Sequence, residues 1–321
     1  MAGERDILQR LRRIATDPAA RGLTDDVALL DGLVITHDTI AEGVHFLPFD
    51  PPASVGWKLV AVNLSDLAAK GASPVGALLS LTLSGESEWE AQFLSGVEAA
   101  CESYDLPLIG GDTIALPENA PRVLGLTAIG RAGTHVPHRK GAMPGDRLWL
   151  IGTLGDAAAG LAQLLDDRNA AGALVDIYRR PVPQLEAGKQ LAKHAHAMMD
   201  VSDGLLLDAF RMAQASGCSV TIDLDALPLS ADFFAGRGNS RDARLFAATS
   251  GDDYALLGAF APDFDPSTLN LPKGTTIAAI GSFQAGEAGI GLVSNGQPIE
   301  LPERLGHEHR GLSTAPMADR P

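Results

Sequence analysis

"VNLSDLAAKGASPVGALLSL", Val62 to Leu81, runs from a helix into a strand. Trp57, Val60, Leu64, Leu67 and Ala68 recur at helical spacing, and Gly71 supplies a C-terminal stop. The apolar run "GALLSLTL" then reads as a strand. Asn63, Asp66 and Lys70 fall on one stripe of this otherwise apolar helix. Asn63 and Asp66 lie within one turn, so both can face one cleft while Trp57, Val60 and Leu64 pack the opposite side. Such a stripe is either a solvated face or the wall of a site. The rest of the chain has to decide between them.

Upstream, "VALLDGLVITHD" gives two short β-type runs joined by Asp31-Gly32, the dipeptide favoured in two-residue hairpin turns. Before it, Ile7, Leu8, Leu11 and Ile14 are spaced as on an amphipathic helix. A Pro/Gly-rich loop spans 41–52. Downstream, Ser87-x-x-Glu90 predicts a capping box opening a helix to Tyr104, and "LPLIGGDT" and "RVLGLTAIG" complete an α+β first half. Gly141, Pro144 and Gly145 punctuate "RKGAMPGDRLWLIG", which places a domain boundary near Gly141 and divides the chain into 1–140 and 141–321. The second half opens with strand, glycine turn and helix in "RLWLIGTLGDAAAGLAQLL". Helices are expected near 184–196 and 204–216, strands at 218–224, 253–260 and 276–283, and an irregular polar tail after Pro302. No heptads or low-complexity tracts occur.

The composition suits two moderate cores: 321 residues, 45% hydrophobic, with 35 glycines and 20 prolines spread through the chain. A formal net charge of −15 repels nucleic acid and anionic membranes. A protein so charged can handle phosphates only with cations between itself and the ligand. Cys101 and Cys218 are too few for a disulfide framework and are not spaced as a zinc site. The opening 22 residues lack the apolar core of a signal peptide, and no apolar run approaches the roughly 20 residues of a membrane span. A soluble, cytoplasmic protein is expected.

Small residues and aspartates recur together where elements end: "TDDVALL", "THDT", "NLSDLAAKG", "GGDT" and "DVSDG". Singly, each is an ordinary cap or turn. Jointly, Asp38, Asp112 and Asp203 sit after or beside β-type runs, from which side chains can converge on one cleft, and converging carboxylates need cations. Hard oxygen ligands without a His/Cys cluster favour Mg²⁺, which bridges carboxylates to phosphates. No P-loop motif, kinase signature set or nucleophile elbow is present. His135-x-x-His138 and His194-x-His196 read as loop or helix-surface histidines. The residues alone thus point to a Mg²⁺-dependent enzyme acting on phosphates.

The ordered series "TDDVALL", "THDT", "EGVHFLP", "VNLSDLAAKGA", "LIGGDT", "GDAAAGL", "DVSDGL" and "SGDDYAL" covers most of the chain and resembles the thiamine-monophosphate kinase family. "NLSDLAAKGA" and "GGDT" also occur in the wider superfamily of aminoimidazole ribonucleotide synthetase. The resemblance implies that superfamily's two-domain α+β / α/β fold, with an N-terminal mixed sheet pairing across a homodimer and a C-terminal α/β domain closing over nucleotide and substrate. It implies transfer of the γ-phosphoryl of ATP to thiamine monophosphate. Asp26, Thr36, Asp38, Asp66, Asp112, Asp200 and Asp203 would hold several Mg²⁺ ions, with His37 contributing through its backbone. Gly111, Asp112, Ser202 and Arg139 would contact ATP. His45, Asp252 and His307 would lie against the thiamine monophosphate. No protein residue is implied as a catalytic acid or base.

Four positions depart from the family pattern. Thr24 stands for the usual Gly, His37 for a small hydroxyl residue, Asp252 for Glu, and His307 for an aromatic ring. The first two are expected to alter backbone packing, the last two substrate affinity. Two other readings are open to the sequence: another ATP-dependent enzyme of the superfamily, aminoimidazole ribonucleotide synthetase-like, or a non-catalytic thiamine-phosphate or nucleotide binding protein. "EGVHF" and "SGDDY" speak against the first, the full aspartate series against the second.

Overall fold

The computed structural model describes residues 4–117 and 119–308. The first half runs α1 (Glu4–Ile14), β1 (Ala28–Leu30), β2 (Leu33–Ala41), α2 (Pro52–Ala69), β3 (Ser73–Leu83), α3 (Ser87–Ser103), β4 (Leu108–Ala115) and β5 (Val123–Arg131). Its five strands form a mixed sheet in the order β1-β2-β5-β3-β4, with only β3 and β4 parallel. The expected hairpin is present. Leu30 faces Leu33, and Asp31 and Gly32 both take positive φ, 49° and 78°, as a type I′ turn requires.

The second half runs β6 (Arg147–Ile151), α4 (Asp156–Asp166), α5 (Ala173–Arg179), α6 (Leu185–Leu191), β7 (Ala195–Val201), α7 (Leu205–Ser216), β8 (Ser219–Asp223), α8 (Ala231–Arg237), α9 (Arg241–Thr249), β9 (Ala255–Phe260), β10 (Ile277–Gln284), β11 (Gly289–Ser294) and β12 (Gln297–Ile299). These strands make a seven-stranded sheet, β12-β11-β8-β10-β6-β9-β7, parallel only between β8 and β11. None of the described helices is long and apolar enough to cross a membrane.

α2 joins the halves. It rests on β2 and β5, packs α3 along one flank, and touches α6, β7 and β9 on the other. Leu59, Leu64 and Leu67 are wholly buried, in a cluster that also holds Leu191, Leu256 and Phe260. Each such leucine contributes about 2–3 kcal/mol by leaving water. Where α2 crosses α3 the backbones nearly touch: a Cβ on Gly96 would lie 1.9 Å from the Ala53 carbonyl oxygen, and one on Gly56 2.2 Å from that of Phe93. Because α2 is enclosed on every side, its polar stripe is not a solvated face: Asn63, Asp66 and Lys70 are all buried. Trp57, expected in the core, is instead half-buried, edge-on to Tyr104 and donating its indole N–H to the Pro181 carbonyl at 3.1 Å.

Three local expectations change. Ser87 lies inside α3 rather than capping it, and the Glu90 carboxylate accepts from the Ser84 and Gly85 N–H groups at 3.0 and 3.1 Å. The helix expected over 184–196 ends at Leu191, because Ala195–Val201 pairs with β9 as an edge strand. His194 and His196 are therefore not on a helix; His196 Nδ1 meets the Asp146 carboxylate at 2.9 Å. Residues 302–308 are irregular, as expected, and the tail from 309 lies outside the described residues.

Candidate active site

Strand alternation sorts β2. Thr36 turns in toward α2, where its hydroxyl donates to Asp66 Oδ2. His37 turns out, and its ring meets the Thr127 and Thr39 hydroxyls at 2.9 and 3.3 Å. Its side chain therefore serves the far face of the sheet. Asp38 turns in again, and its N–H donates to Asn63 Oδ1 at 2.9 Å. Asn63 in turn donates to the Leu59 carbonyl, so its amide pins β2 to α2.

Asp26 reaches the same place from the loop before β1, and Asp200 from β7. Asp26, Asp66 and Asp200 each bring a carboxylate oxygen within 4.8 Å of the others. Burial and the neighbouring Asp38, Asp200 and Asp26 push the Asp66 carboxyl well above the usual range. Burial and Asp26 push Asp200 up to about 8, against a Ser65 hydroxyl bond of 2.6 Å that favours its charged form. Burial and Asp26 likewise raise Asp38, with Asp203 adding to the repulsion. Asp26 goes the other way: burial would raise it, but Arg139 and Lys70 together hold it far below the usual range. Lys70 Nζ sits 2.7 Å from both Asp26 Oδ2 and Asp25 Oδ1, and Arg139 bonds Asp26 Oδ1.

The turn after β7 carries Ser202 and Asp203. Both N–H groups donate to Asp208 Oδ2 at 3.1 Å, and Arg211 bridges Asp203 and Asp208 at 2.6 and 2.9 Å. The His307 N–H donates to the Asp203 carbonyl at 2.8 Å, which brings that residue to the same turn.

A second group adjoins on the α2 side. Buried Lys58 bonds Asp252 Oδ2 at 2.5 Å and the His45 carbonyl at 3.0 Å, and lies 4.2 Å from the centre of the Tyr178 ring. Tyr254 donates to Asp252 Oδ1 at 2.8 Å. His45 Nδ1 takes the Ala41 N–H at 3.1 Å. Asp252 and His45 are thus tied to one ammonium. Asp253, next in sequence, accepts the Gly155 N–H at the start of α4 with both oxygens, at 2.9 and 3.0 Å. That carboxylate plugs the helix terminus that "GTLGDAAAG" offers.

Gly111 and Asp112 stand apart. They lie on β4, at the far edge of the first sheet and separated from β2 by β5 and β3, with Asp112 opposite Ser80. A Cβ on Gly111 would meet the Leu79 carbonyl oxygen at 2.0 Å, so glycine there lets β3 and β4 pair. Thr24 donates to the Arg21 carbonyl at 2.9 Å.

Sequence reasoning missed Asp25, Lys58, Asp208 and Arg211, and gave Lys70 no task. Asp25 sits inside the quoted "TDDVALL" beside Asp26, which was the available signal, whereas Asp208 lies beyond "DVSDGL", five residues after Asp203, and no motif marked it.

Two mixed sheets clasping one buried helix, with aspartates meeting at the seam, define the AIR synthase-related class of protein. Models of the AIR synthase related protein N-terminal and C-terminal domains match residues 24–132 and 143–288. A thiamine-monophosphate kinase of Caulobacter vibrioides is 38% identical, covering 95% of this chain and 90% of the relative. Among solved structures, AaThiL complexed with AMPPCP and TMP is 31% identical with a TM-score of 0.81, covering 95% of this chain and 97% of that one. The thiamine-monophosphate kinase from Stenotrophomonas maltophilia K279a is 34% identical with a TM-score of 0.73, over 92% and 96%. The chain belongs to the thiamine-monophosphate kinase family of phosphotransferases.

Proposed function

We propose that the protein transfers the γ-phosphoryl group of ATP to thiamine monophosphate, giving thiamine diphosphate and ADP, and does so in the cytoplasm. The observation that carries this is the likeness, over nearly the whole chain, to AaThiL complexed with AMPPCP and TMP, an ATP analogue and the acceptor. One acceptor phosphate oxygen bonds to Pγ as the bond from Pγ to the β-phosphate oxygen breaks. A phosphate monoester has its second pKa near about 6, so at neutral pH the nucleophile is already ionised and no side chain need take its proton. The protein's task is positioning and electrostatics.

The chain's own residues perform that task on the carboxylates. Thr36 orients Asp66, Ser65 orients Asp200, Asn63 fixes the backbone of Asp38, and Asp208 with Arg211 holds the turn bearing Ser202 and Asp203. Asp26, Thr36, Asp38, Asp66, Asp200 and Asp203, with the His37 backbone, would hold Mg²⁺. Their donor set fits: hard oxygens only, with several carboxyls raised by burial and by mutual repulsion that a cation relieves. When bound, the ions supply positive charge opposite the phosphates, since two unit charges about 4 Å apart repel by about 4 kcal/mol at an effective dielectric of 20. Ser202 and Arg139 border the nucleotide side. His45 and Asp252, aligned by Lys58, border the acceptor side with His307.

The assay is direct: purified protein with ATP and Mg²⁺, with thiamine monophosphate, free thiamine, hydroxymethylpyrimidine phosphate or no acceptor. Thiamine diphosphate formed only from the monophosphate is expected. ADP release indifferent to the acceptor would overturn the reading.

A homodimer is part of the proposal, paired along β4. Every residue of β4 is exposed on both faces, including Ile109 at 59% and Ile114 at 53%, and exposed Leu78 and Val123 extend the apolar surface. A bare apolar edge strand needs a cover. The candidate roles of Gly111 and Asp112 then depend on that pairing, since both lie on the strand concerned. Ile109→Asp is expected to yield a monomer by light scattering and to abolish most turnover. A variant that stays dimeric would remove β4 from the interface.

A further inference from the structure

Lys58 is a buried cation outside the acidic cluster. Its ammonium is enclosed by groups from three parts of the chain: Asp252 Oδ2 at 2.5 Å, the His45 carbonyl oxygen at 3.0 Å, and the Tyr178 ring, whose centre lies 4.2 Å away. An ammonium has three N–H donors, and a carboxylate, a carbonyl and an aromatic face provide a partner for each. Lys58 therefore has no donor to offer a phosphate. Its side chain is 2% exposed, whereas that of Asp252 is 26% exposed, so a ligand can reach the carboxylate but not the lysine behind it.

Each partner is fixed in its turn. Tyr254 donates to the other Asp252 oxygen at 2.8 Å, and the Asp252 and Tyr254 N–H groups donate to the Ser202 and Val201 carbonyls at 2.8 and 2.9 Å. Both residues hold positive φ, 72° and 51°, a conformation that residues with side chains rarely take and that surrounding contacts must impose. Tyr178 donates to Asp50 Oδ2 at 3.3 Å, and Arg179 reaches Asp50 Oδ1 at 2.8 Å, so the far end of the loop carrying His45 is tied to α5.

We propose that Lys58 is a positioning residue for the phosphoryl acceptor: by holding Asp252 and the His45 backbone on one ammonium, it sets the gap between them that receives thiamine monophosphate. The inference rests on the proposed reaction and deepens it. A carboxylate repels the acceptor's phosphate and attracts its cationic thiazolium ring, so Asp252 serves the organic end of the molecule. A contact there is made alike before and during transfer, and its loss weakens binding rather than the chemical step.

The test compares full-length wild type with Lys58→Met, Asp252→Asn and the double variant, by steady-state kinetics in each substrate and by thermal melts. Lys58→Met is expected to raise KM for thiamine monophosphate about 10- to 100-fold, with kcat within about threefold and KM for ATP within about twofold of wild type. Because Lys58 acts largely through Asp252, adding Lys58→Met to Asp252→Asn should raise the acceptor KM by less than about threefold further. If Lys58→Met alone gives no folded protein, the double variant, which removes both charges of the pair, still carries that second comparison. An acceptor KM near wild type in folded Lys58→Met, an equal rise in both KM values, or effects that multiply in the double variant each overturn the role given to Lys58 and leave the reaction standing. A wild-type chain that forms no thiamine diphosphate overturns the proposed reaction, and this inference with it.

Discussion

Asp66→Asn lowers turnover about 100- to 1,000-fold, the scale seen when one preorganised electrostatic contact to a transition state is removed. The stability of the metal-free protein is expected to hold or rise. The Asp66 carboxyl is buried beside Asp38, Asp200 and Asp26, all of which disfavour its charge, so a neutral amide of the same shape relieves repulsion. The Thr36 hydroxyl keeps an acceptor, because the amide oxygen can take the place of Oδ2. Steady-state kinetics and a thermal melt check the two halves of the prediction. Near-wild-type turnover would remove Asp66 from the site, and a collapsed melting point would make it a structural residue.

Gly96→Val acts on the frame rather than the chemistry. A β-carbon at this position would stand 1.9 Å from the Ala53 carbonyl oxygen and 2.6 Å from its carbon. Both obstacles are backbone of a helix enclosed on all sides, so neither can rotate away. α3 would have to retreat from α2 and strip contacts from Phe93, Val97 and Ala100, all now buried. Overpacking a dense core typically costs 1–3 kcal/mol, and a clash this deep with backbone is expected to reach about 3 kcal/mol or more. Denaturant titration measures it directly. A loss below about 1 kcal/mol would mean that the two helices part easily.

The legibility of the molecule followed the range of its interactions. Asp31-Gly32 announced a hairpin because a two-residue turn is decided by its own φ angles. Asn295-Gly296 sends the same signal between β11 and β12, and that hairpin went unread beside the polar tail. β7 was hidden because "LAKHAHAMM" is rich in helix formers, and only pairing with β9 makes its second part a strand. Aspartates in short motifs were visible as a group, since each ends an element. Their partners were not. Lys70 meets Asp25 across 45 positions of sequence, and Lys58 meets Asp252 across 194. No periodicity carries information over such a span: Lys58 looks like an ordinary surface charge in the sequence, and Lys70 stood out only as a member of the stripe, without its partner.

α2 gives the chain a property that a two-sheet diagram conceals. Its leucines share one cluster with Leu191, Leu256 and Phe260 from the other half, so the seam is itself core. Neither sheet is a module that could be cut out and kept. A fragment ending before Arg147 would present to water a greasy flank meant for its missing sibling, and would behave as a client for chaperones rather than as half an enzyme.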